Sequence, residues 1–407
     1  MRLRTLARRT LLSLVGLQAV VIAVISVIDS LRKRHHTHST FPRTDPVLAT
    51  IGTERVTTYC YGADLYADML AAIRGAQRTV HFESFIWKND AVGQGFKVAL
   101  QEAADRGVEV FVIYDGFANL VVPASFKRFP PSMHVIEYPV FAPGWRFFDP
   151  RRYGRDHRKI LVVDGEVGFV GGYNVGSMYA AQWRDTHVRI EGPSAWDLKN
   201  AFVDFWNLNR TKHQPELHDP GTSSWEARIR VYRNLPRMRM FPIRGMYLEA
   251  LDRAQHHILL THAYFIPDAQ ILAAMLIAAN RGVDVRLLLP ATSNHVVADW
   301  VSRGFYAPLL RGGVRIFLYE NAMVHAKTAT IDSEWSTVGT ANVDRLSLTG
   351  NYEINVEFFS PELAEHMEKV FATDCGNARE LTLHEWEQRP LVAKLSERVL
   401  APLAPLL

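Results

Sequence analysis

One motif occurs twice, and its repetition constrains the fold more than any other feature of the chain. Residues 157–164 read HRKILVVD and residues 325–332 read HAKTATID, each H-x-K-x-x-x-x-D set into an otherwise apolar run. The agreement extends downstream. Gly171 and Gly172 open GGYN, which ends at Asn174, and Gly339 opens GTAN, which ends at Asn342; each Asn stands 17 positions after its His. A carboxylate stands 28 positions after each His, Asp185 in WRDTHVRI and Glu353 in NYEINVEF. Five polar positions in one register point to two copies of one structural unit.

The flanking sequence repeats the same plan. GADLYADMLAAIRGAQRTV has helical periodicity and leads into the strand-like HFESFIWKND, after which GQGFKVALQEAADRGVEV and FVIYDG read as helix and strand. In the second copy IRGMYLEALDRAQHHILLTHAYFIPD is again helix then strand. AQILAAMLIAANRGVDV and RLLLP follow in the same way, AANRGVDV echoing AADRGVEV. Strands alternating with helices predict an α/β fold with a largely parallel sheet covered on both faces. The Pro-, Gly- and His-rich NRTKHQPELHDPGTSSW separates the copies. The expected order is an anchor and linker over 1–44, a first half over 45–210, a connector over 211–240, a second half over 241–380 and a helical tail over 381–407.

Ahead of the first copy, TLLSLVGLQAVVIAVISVIDSL is apolar for about 19 residues before Asp29. At 1.5 Å rise per residue such a helix nearly matches a bilayer core of ~30 Å. ISVIDSLRKR offers no small-residue cleavage pair of a signal peptide, so an uncleaved single N-terminal anchor is expected. Positive charge flanks both ends and leaves its orientation open. The anchor region also owns the basicity. Residues 1–43 hold eight Lys/Arg and one acid, so the net +4 of the chain becomes −3 for the remainder. That weighs against a broad basic groove for nucleic acid. Cys60 and Cys375 have neither metal-ligand spacing nor the density of a disulfide scaffold, and both are expected to be free thiols.

Strand alternation puts His157 and Lys159 on one face, and His325 and Lys327 likewise. A small-residue turn then lets the next strand bring Asn174 or Asn342 alongside. One such motif reads equally well as an edge strand closed by His and Lys in water; two copies in matching context do not. The set suits phosphodiester chemistry. Two Lys and two Asn hold non-bridging oxygens and offset the charge that grows in the transition state. One neutral His attacks phosphorus, and the other protonates the leaving alkoxide. A covalent phosphohistidine results, which a second acceptor opens. Asp185 and Glu353 each bond the far ring nitrogen of a His and fix its tautomer. Asp164 and Asp332 lie too far along the strand to touch their His and are expected to shape the following turn. The half-sites must meet, so the copies should face each other about a pseudo-twofold axis.

The two H-x-K-x4-D motifs with GGYN and GTAN resemble those of the phospholipase D superfamily. Over roughly residues 45–375 the chain resembles its bacterial cardiolipin synthase branch, through HRKILVVDGEVGFVGGYNVG, WRDTHVRIEGP, AYFIPD, RGVDVRLLLP, VHAKTATIDSEWSTVGTANVD and NYEIN. The resemblance implies two α/β/α halves with the active site between them, no metal or cofactor, and a phosphohistidine intermediate. It implies transfer of a phosphatidyl group from one phospholipid, usually phosphatidylglycerol, to the hydroxyl of another, at the bacterial inner membrane. His157 and His325 become the catalytic pair, with His157 the nucleophile by analogy. Lys159, Lys327, Asn174 and Asn342 become phosphate ligands, Asp185 and Glu353 orienters, and Asp164 and Asp332 complete the motifs. Thr340 stands where Ser is commoner and keeps the hydroxyl. Two alternatives share the chemistry: water as acceptor, giving phosphatidic acid, and a nuclease or other phosphodiesterase, against which the anchor and the −3 body count. Oligomeric state is not legible.

Weaker signals stay open at this stage. Arg151, Arg152, Arg155 and Arg158, in the stretch RRYGRDHRK that leads into the first motif, suit a lipid headgroup or a solvated loop. Trp145, Phe147, Phe148 and Tyr153 suit an acyl entrance or an ordinary packed loop. Arg233, Arg237, Arg239 and Arg244, interleaved with Met and Phe, suit anionic lipid or the surface of the second half. The tail RPLVAKLSERVLAPLAPLL starts as an amphipathic helix and ends in Pro-broken apolar residues; packing on the body is expected in preference to membrane contact.

Overall fold

The same local chemistry starts and stops equivalent helices in both copies. Asp90 and Asp268 are the N-caps of the helices Ala91–Asp105 and Ala269–Asn280; Asp90 accepts the Gly93 N–H, and Asp268 those of Gln270 and Ile271. Gly107 (φ 91°) and Gly282 (φ 95°) end them in the left-handed region. There Val108 N–H reaches the Ala103 carbonyl and Val283 N–H the Ala278 carbonyl, each at 3.1 Å, so the echo AADRGVEV/AANRGVDV encodes one helix stop made twice. The computed structural model describes residues 2–33, 40–141, 149, 153–219, 221, 222, 224 and 226–407.

The first half supplies β1 (Val47–Ile51), β2 (Glu54–Tyr59), β3 (Thr79–Ser84), β4 (Glu109–Asp115), β5 (Met133–Tyr138), β6 (Ile160–Val163), β7 (Val167–Gly171), β8 (Trp183–Arg184) and β9 (His187–Glu191). The second supplies β10 (Ile229–Arg233), β11 (His257–His262), β12 (Asp284–Pro290), β13 (Arg315–Tyr319), β14 (Met323–Val324), β15 (Lys327–Ile331), β16 (Trp335–Gly339), β17 (Ile354–Phe359) and β18 (Ala378–Leu381). Two eight-stranded sheets result, in the orders β1-β2-β9-β7-β6-β3-β4-β5 and β10-β17-β16-β15-β11-β12-β13-β18. The six strands β3, β4, β5, β6, β7 and β9 correspond in order to β11, β12, β13, β15, β16 and β17.

The sheets are mixed, which corrects the expectation of a largely parallel sheet. Only β3-β4-β5 and β11-β12-β13 run parallel; every other pairing within the two sheets is antiparallel. Each motif ends in a tight turn that makes β6–β7 and β15–β16 antiparallel hairpins. Asp164-Gly165 and Asp332-Ser333 all have φ between 55° and 74°, the geometry of a type I′ hairpin. β10 lies inside the stretch expected as connector, yet it pairs with β17 and buries Ile229 in the core. The apolar side of IRVYR is what draws it into the sheet.

Side chains alternate across each sheet. Leu161, Val163, Val80, Phe82 and Phe169 face the helices Gly62–Gly75 and Ala91–Asp105. On the opposite face Ile160, Val162, Val170, Val188 and Ile190 join Val338, Ile354, Val356 and Phe358 of the other half in one apolar core. The halves therefore meet sheet against sheet, flanked by the helices Ala195–Asn209 and Pro361–Cys375. The N-terminal helix runs over Arg2–Lys33, and its stretch Leu14–Leu31 is long and apolar enough to cross a membrane. The helix Leu391–Leu400 of the tail packs against it. Cys60 is buried, Cys375 is half-buried, and both are free thiols. Arg233, Arg237 and Arg244 bond to Asn200 and Asp204, to the Leu208 carbonyl and to Asp268 of the protein body. Trp145, Phe147, Phe148, Arg151 and Arg152 lie outside the described residues.

Candidate active site

The site is built by exchange between the halves. The strand that brings in His157 is bonded to the segment preceding Glu353: His157 N–H donates to the Tyr352 carbonyl at 3.0 Å, and Tyr352 N–H to the Arg155 carbonyl at 2.9 Å. The reciprocal contact joins β14 to β8, and His325 N–H donates to the Arg184 carbonyl at 2.6 Å. Each His is thereby set beside the carboxylate of the other half. His157 Nδ1 lies 3.0 Å from both oxygens of Glu353, and His325 Nδ1 lies 2.6 Å from Asp185 Oδ2.

The two pairs differ in charge. Burial would raise the Asp185 carboxyl, but Lys327 and His325 hold it below the usual range, and Thr186 N–H donates to it at 2.7 Å. An ionised Asp185 can only accept, so His325 Nδ1 carries a proton and Nε2 keeps its lone pair. Burial, with Lys327 next, pushes the His325 imidazole down to about 3. His157 is likewise held well below its ordinary value, by burial first and then by Lys159 and Lys327. Glu353 goes the other way: burial pushes it up to about 8, against the pull of Lys159 and the Thr340 hydroxyl that donates to Oε2. Gly172 occupies the register position of Thr340, and a Cβ there would meet Asp185 Oδ1 at 2.0 Å. Glycine in one half and threonine in the other are each fitted to their carboxylate.

Lys159 and Lys327 are buried, each with Nζ on the carbonyl of its own motif's His. Burial lowers them to about 8 and about 7. Asn174 Oδ1 accepts from Ile86 N–H and Asn342 Oδ1 from Tyr264 N–H, which commits the NH2 ends to donation. Asp164 and Asp332 stand apart from this group. Asp164 accepts from the backbone N–H groups of Gln77, Arg78 and Thr79, and Asp332 from those of Gln255, His256 and His257. They clamp the entry of β3 and β11 and touch neither His157 nor His325, from which seven residues of extended chain separate them.

Three features escaped the sequence. Arg158, the x of the first H-x-K, is fully buried between Glu83 at 2.5 Å and Asp156 at 3.3 Å, over the Phe205 ring; alternation sends it to the face opposite His157. Asp344 is buried beside the site, burial pushing it up to about 7, and its first-half counterpart is Gly176. That break in the repeat was the available signal. Finally, a cavity of about 560 Å³ opens against His157. Arg155, Asn342, Asp344 and Asn351 give it a polar end, and Ile266 and Val297 belong to its apolar wall.

The family model described as "Cardiolipin synthase, PLD-like domain" matches residues 69–206 and 247–375. The major cardiolipin synthase ClsA of Bacillus subtilis is 31% identical over 358 residues, covering 85% of this chain and 74% of the relative. A cardiolipin synthase of Staphylococcus aureus is 32% identical over 363 residues, covering 86% and 73%. A cardiolipin synthase of Clostridium perfringens is 29% identical over 84% and 75%. Among solved structures, phosphatidylserine synthase of Haemophilus influenzae shares the fold with a TM-score of 0.66 at 13% identity, over 89% of this chain and 95% of that one.

Proposed function

The chain belongs to the cardiolipin synthase family of phospholipase D-like proteins, and from that membership we propose that it joins phosphatidylglycerol to a second phospholipid at the bacterial inner membrane, releasing glycerol. It is a phosphatidyltransferase of the cardiolipin synthase type. The reading of the site rests on one observation above the others: the crossed pairs His157–Glu353 and His325–Asp185. Each half supplies a His and the carboxylate that orients its partner's His, so a single reacting centre forms only where both halves meet.

His157 Nε2 attacks phosphorus, and the bond to the glycerol oxygen breaks. His325 delivers a proton to that oxygen, and glycerol leaves. In the second step the hydroxyl of the acceptor lipid gives its proton to His325 and attacks phosphorus. The phosphorus–nitrogen bond breaks, and His157 is restored. One phosphodiester replaces another, so the exchange needs no energy input. His157 is favoured as nucleophile because it lines the cavity, whereas His325 sits deeper. Both imidazoles are held neutral, chiefly by burial, as a nucleophile requires. An arriving phosphodiester anion offsets the two ammonium groups that depress His325, which lets that ring take up the proton it must donate. The N-terminal helix keeps the protein with its lipid substrates.

The test is turnover of labelled phosphatidylglycerol in mixed micelles by wild type, His157→Ala and His325→Ala. Cardiolipin and free glycerol from wild type, with at least ~10³-fold less from either variant, is the expected result. Phosphatidic acid as sole product would make the protein a hydrolase, and an unreactive folded protein would remove the lipid reading.

A further inference from the structure

The tail helix Leu391–Leu400 has two unlike faces. Glu397, Val399 and Leu400 are buried on the body, while Leu391, Val392 and Leu395 are 81%, 76% and 63% exposed. Leu406, just beyond, is 69% exposed. Apolar side chains this open, three of them within five residues of one helix, call for a cover. What covers them follows from where the buried face is attached. Gln18 Nε2 donates to the Val399 carbonyl at 3.0 Å, and Ile25 shares an apolar cluster with Leu400 and Val301. Gln18 and Ile25 both lie within the stretch Leu14–Leu31, about 10 Å apart along the helix. Both contacts come from the C-terminal end of the tail helix, which is thereby held against a membrane-crossing segment between Gln18 and Ile25. The N-terminal helix presents exposed apolar side chains of its own, Leu17, Val20 and Val24. Arg398 is exposed in the same stripe as Leu391 and Leu395, where its charge reaches anionic headgroups while its stem stays apolar.

We propose that the face formed by Leu391, Val392, Leu395 and Leu406 is a membrane-contact surface immersed in the same bilayer as the N-terminal helix. It rests on the reading of that helix as an anchor. The consequence for the site is positional. Val296, Val297 and Ala298 line the cavity beside His157 and also belong to the apolar cluster that holds Val21, Ile22 and Ile25. With the tail face immersed, the apolar wall of the cavity is seated against lipid, and a phospholipid enters sideways without passing through water.

The experiment uses full-length protein with Cys375→Ser, Cys60 being buried, and single cysteines at Leu395→Cys, Val20→Cys and Val98→Cys, each carrying an environment-sensitive fluorophore. Val98, exposed on the helix Ala91–Asp105, is the water-facing control. Proteins are reconstituted in mixed phosphatidylglycerol–phosphatidylcholine vesicles. The expected result is a blue shift and loss of most emission to brominated acyl chains at positions 395 and 20, with iodide quenching only position 98. Iodide quenching at 395 with brominated-chain quenching at 20 would overturn the proposal alone. Iodide quenching at both would overturn the anchor reading and the proposal with it. Protection of 395 from both quenchers would assign the face to a second copy of the chain and overturn it as well.

Discussion

Glu353 and Asp185 hold equivalent places in the two halves, and the surroundings of each make different groups of them. Asp185 receives the Thr186 N–H and the His325 Nδ1–H beside Lys327 and is held ionised, whereas Glu353, near the Thr340 hydroxyl, His157 and Lys159, is pushed up to about 8 by burial. Between the unfolded value of about 4.5 and about 8 the folded protein keeps a proton at Glu353 that the unfolded chain has lost. Stability from this group is therefore full at low pH and falls as pH rises through the window, by up to about 1.4 kcal/mol per pH unit. Glu353→Gln removes that slope. The depressed histidines tilt the same region the opposite way, since the unfolded chain takes up their protons as pH falls. The quantity to read is thus the difference in Tm between Glu353→Gln and wild type, expected to grow in favour of the variant from pH 5 to pH 8. A flat difference would show Glu353 ionised throughout the folded state. Activity should move against stability. An amide cannot ionise when His157 gains positive charge, as the carboxyl can, and turnover should drop by roughly 10²–10⁴-fold.

The closing Asp of each motif belongs to the hairpin and the strand entry, not to the reacting groups. Asp164 and Asp332 sit at φ 55° and each gathers three backbone N–H groups of the chain entering β3 or β11. Either Asp→Ala substitution strands those donors and places a Cβ without a compensating bond in the left-handed region. The expected loss is roughly 1–3 kcal/mol, seen as a lower Tm, with kcat per folded molecule within a few-fold of wild type. A kcat collapse at unchanged Tm would return these residues to the chemistry. Both carboxylates are held below their ordinary range, burial opposing and the backbone N–H bonds prevailing, so the clamp weakens as pH falls toward the unfolded value and below. The sequence carried most elements plainly, because capping Asp, stopping Gly and 3.6-residue periodicity act locally. It misled on strand direction. Asp164-Gly165 is a hairpin signal, but period alone does not distinguish a buried antiparallel strand from a parallel one, since both read as continuous apolar runs such as ILVV. Arg158 was misread for a related reason. Its buried partner Glu83 lies far off in sequence, and nothing local marks a charge as paired.

At the scale of the whole chain, duplication was legible and the crossing was not. Register alone placed a carboxylate 28 positions after each His, yet a repeat is equally consistent with each His using its own half's carboxylate. Only the seam decides it, where β8 meets β14 and Asp156 bridges to Tyr352. The same seam predicts how the molecule unfolds. Ile160 and Ile354, 2% and 0% exposed, come from different halves and share one apolar core. Separating the halves would open that core to water and leave the buried Arg184, ion-paired to Asp374 of the second half at 2.7 Å, without its counter-charge. Neither half should therefore survive the loss of the other. Ile160→Ala and Ile354→Ala should each cost roughly 2–5 kcal/mol and should shift one common calorimetric transition, with calorimetric and van't Hoff enthalpies equal. Two resolved transitions, each sensitive to only one substitution, would mean that the halves are separate folding units docked through a surface. The single transition is expected because a centre that borrows one group from each half for every His gains its geometry only from a rigid seam.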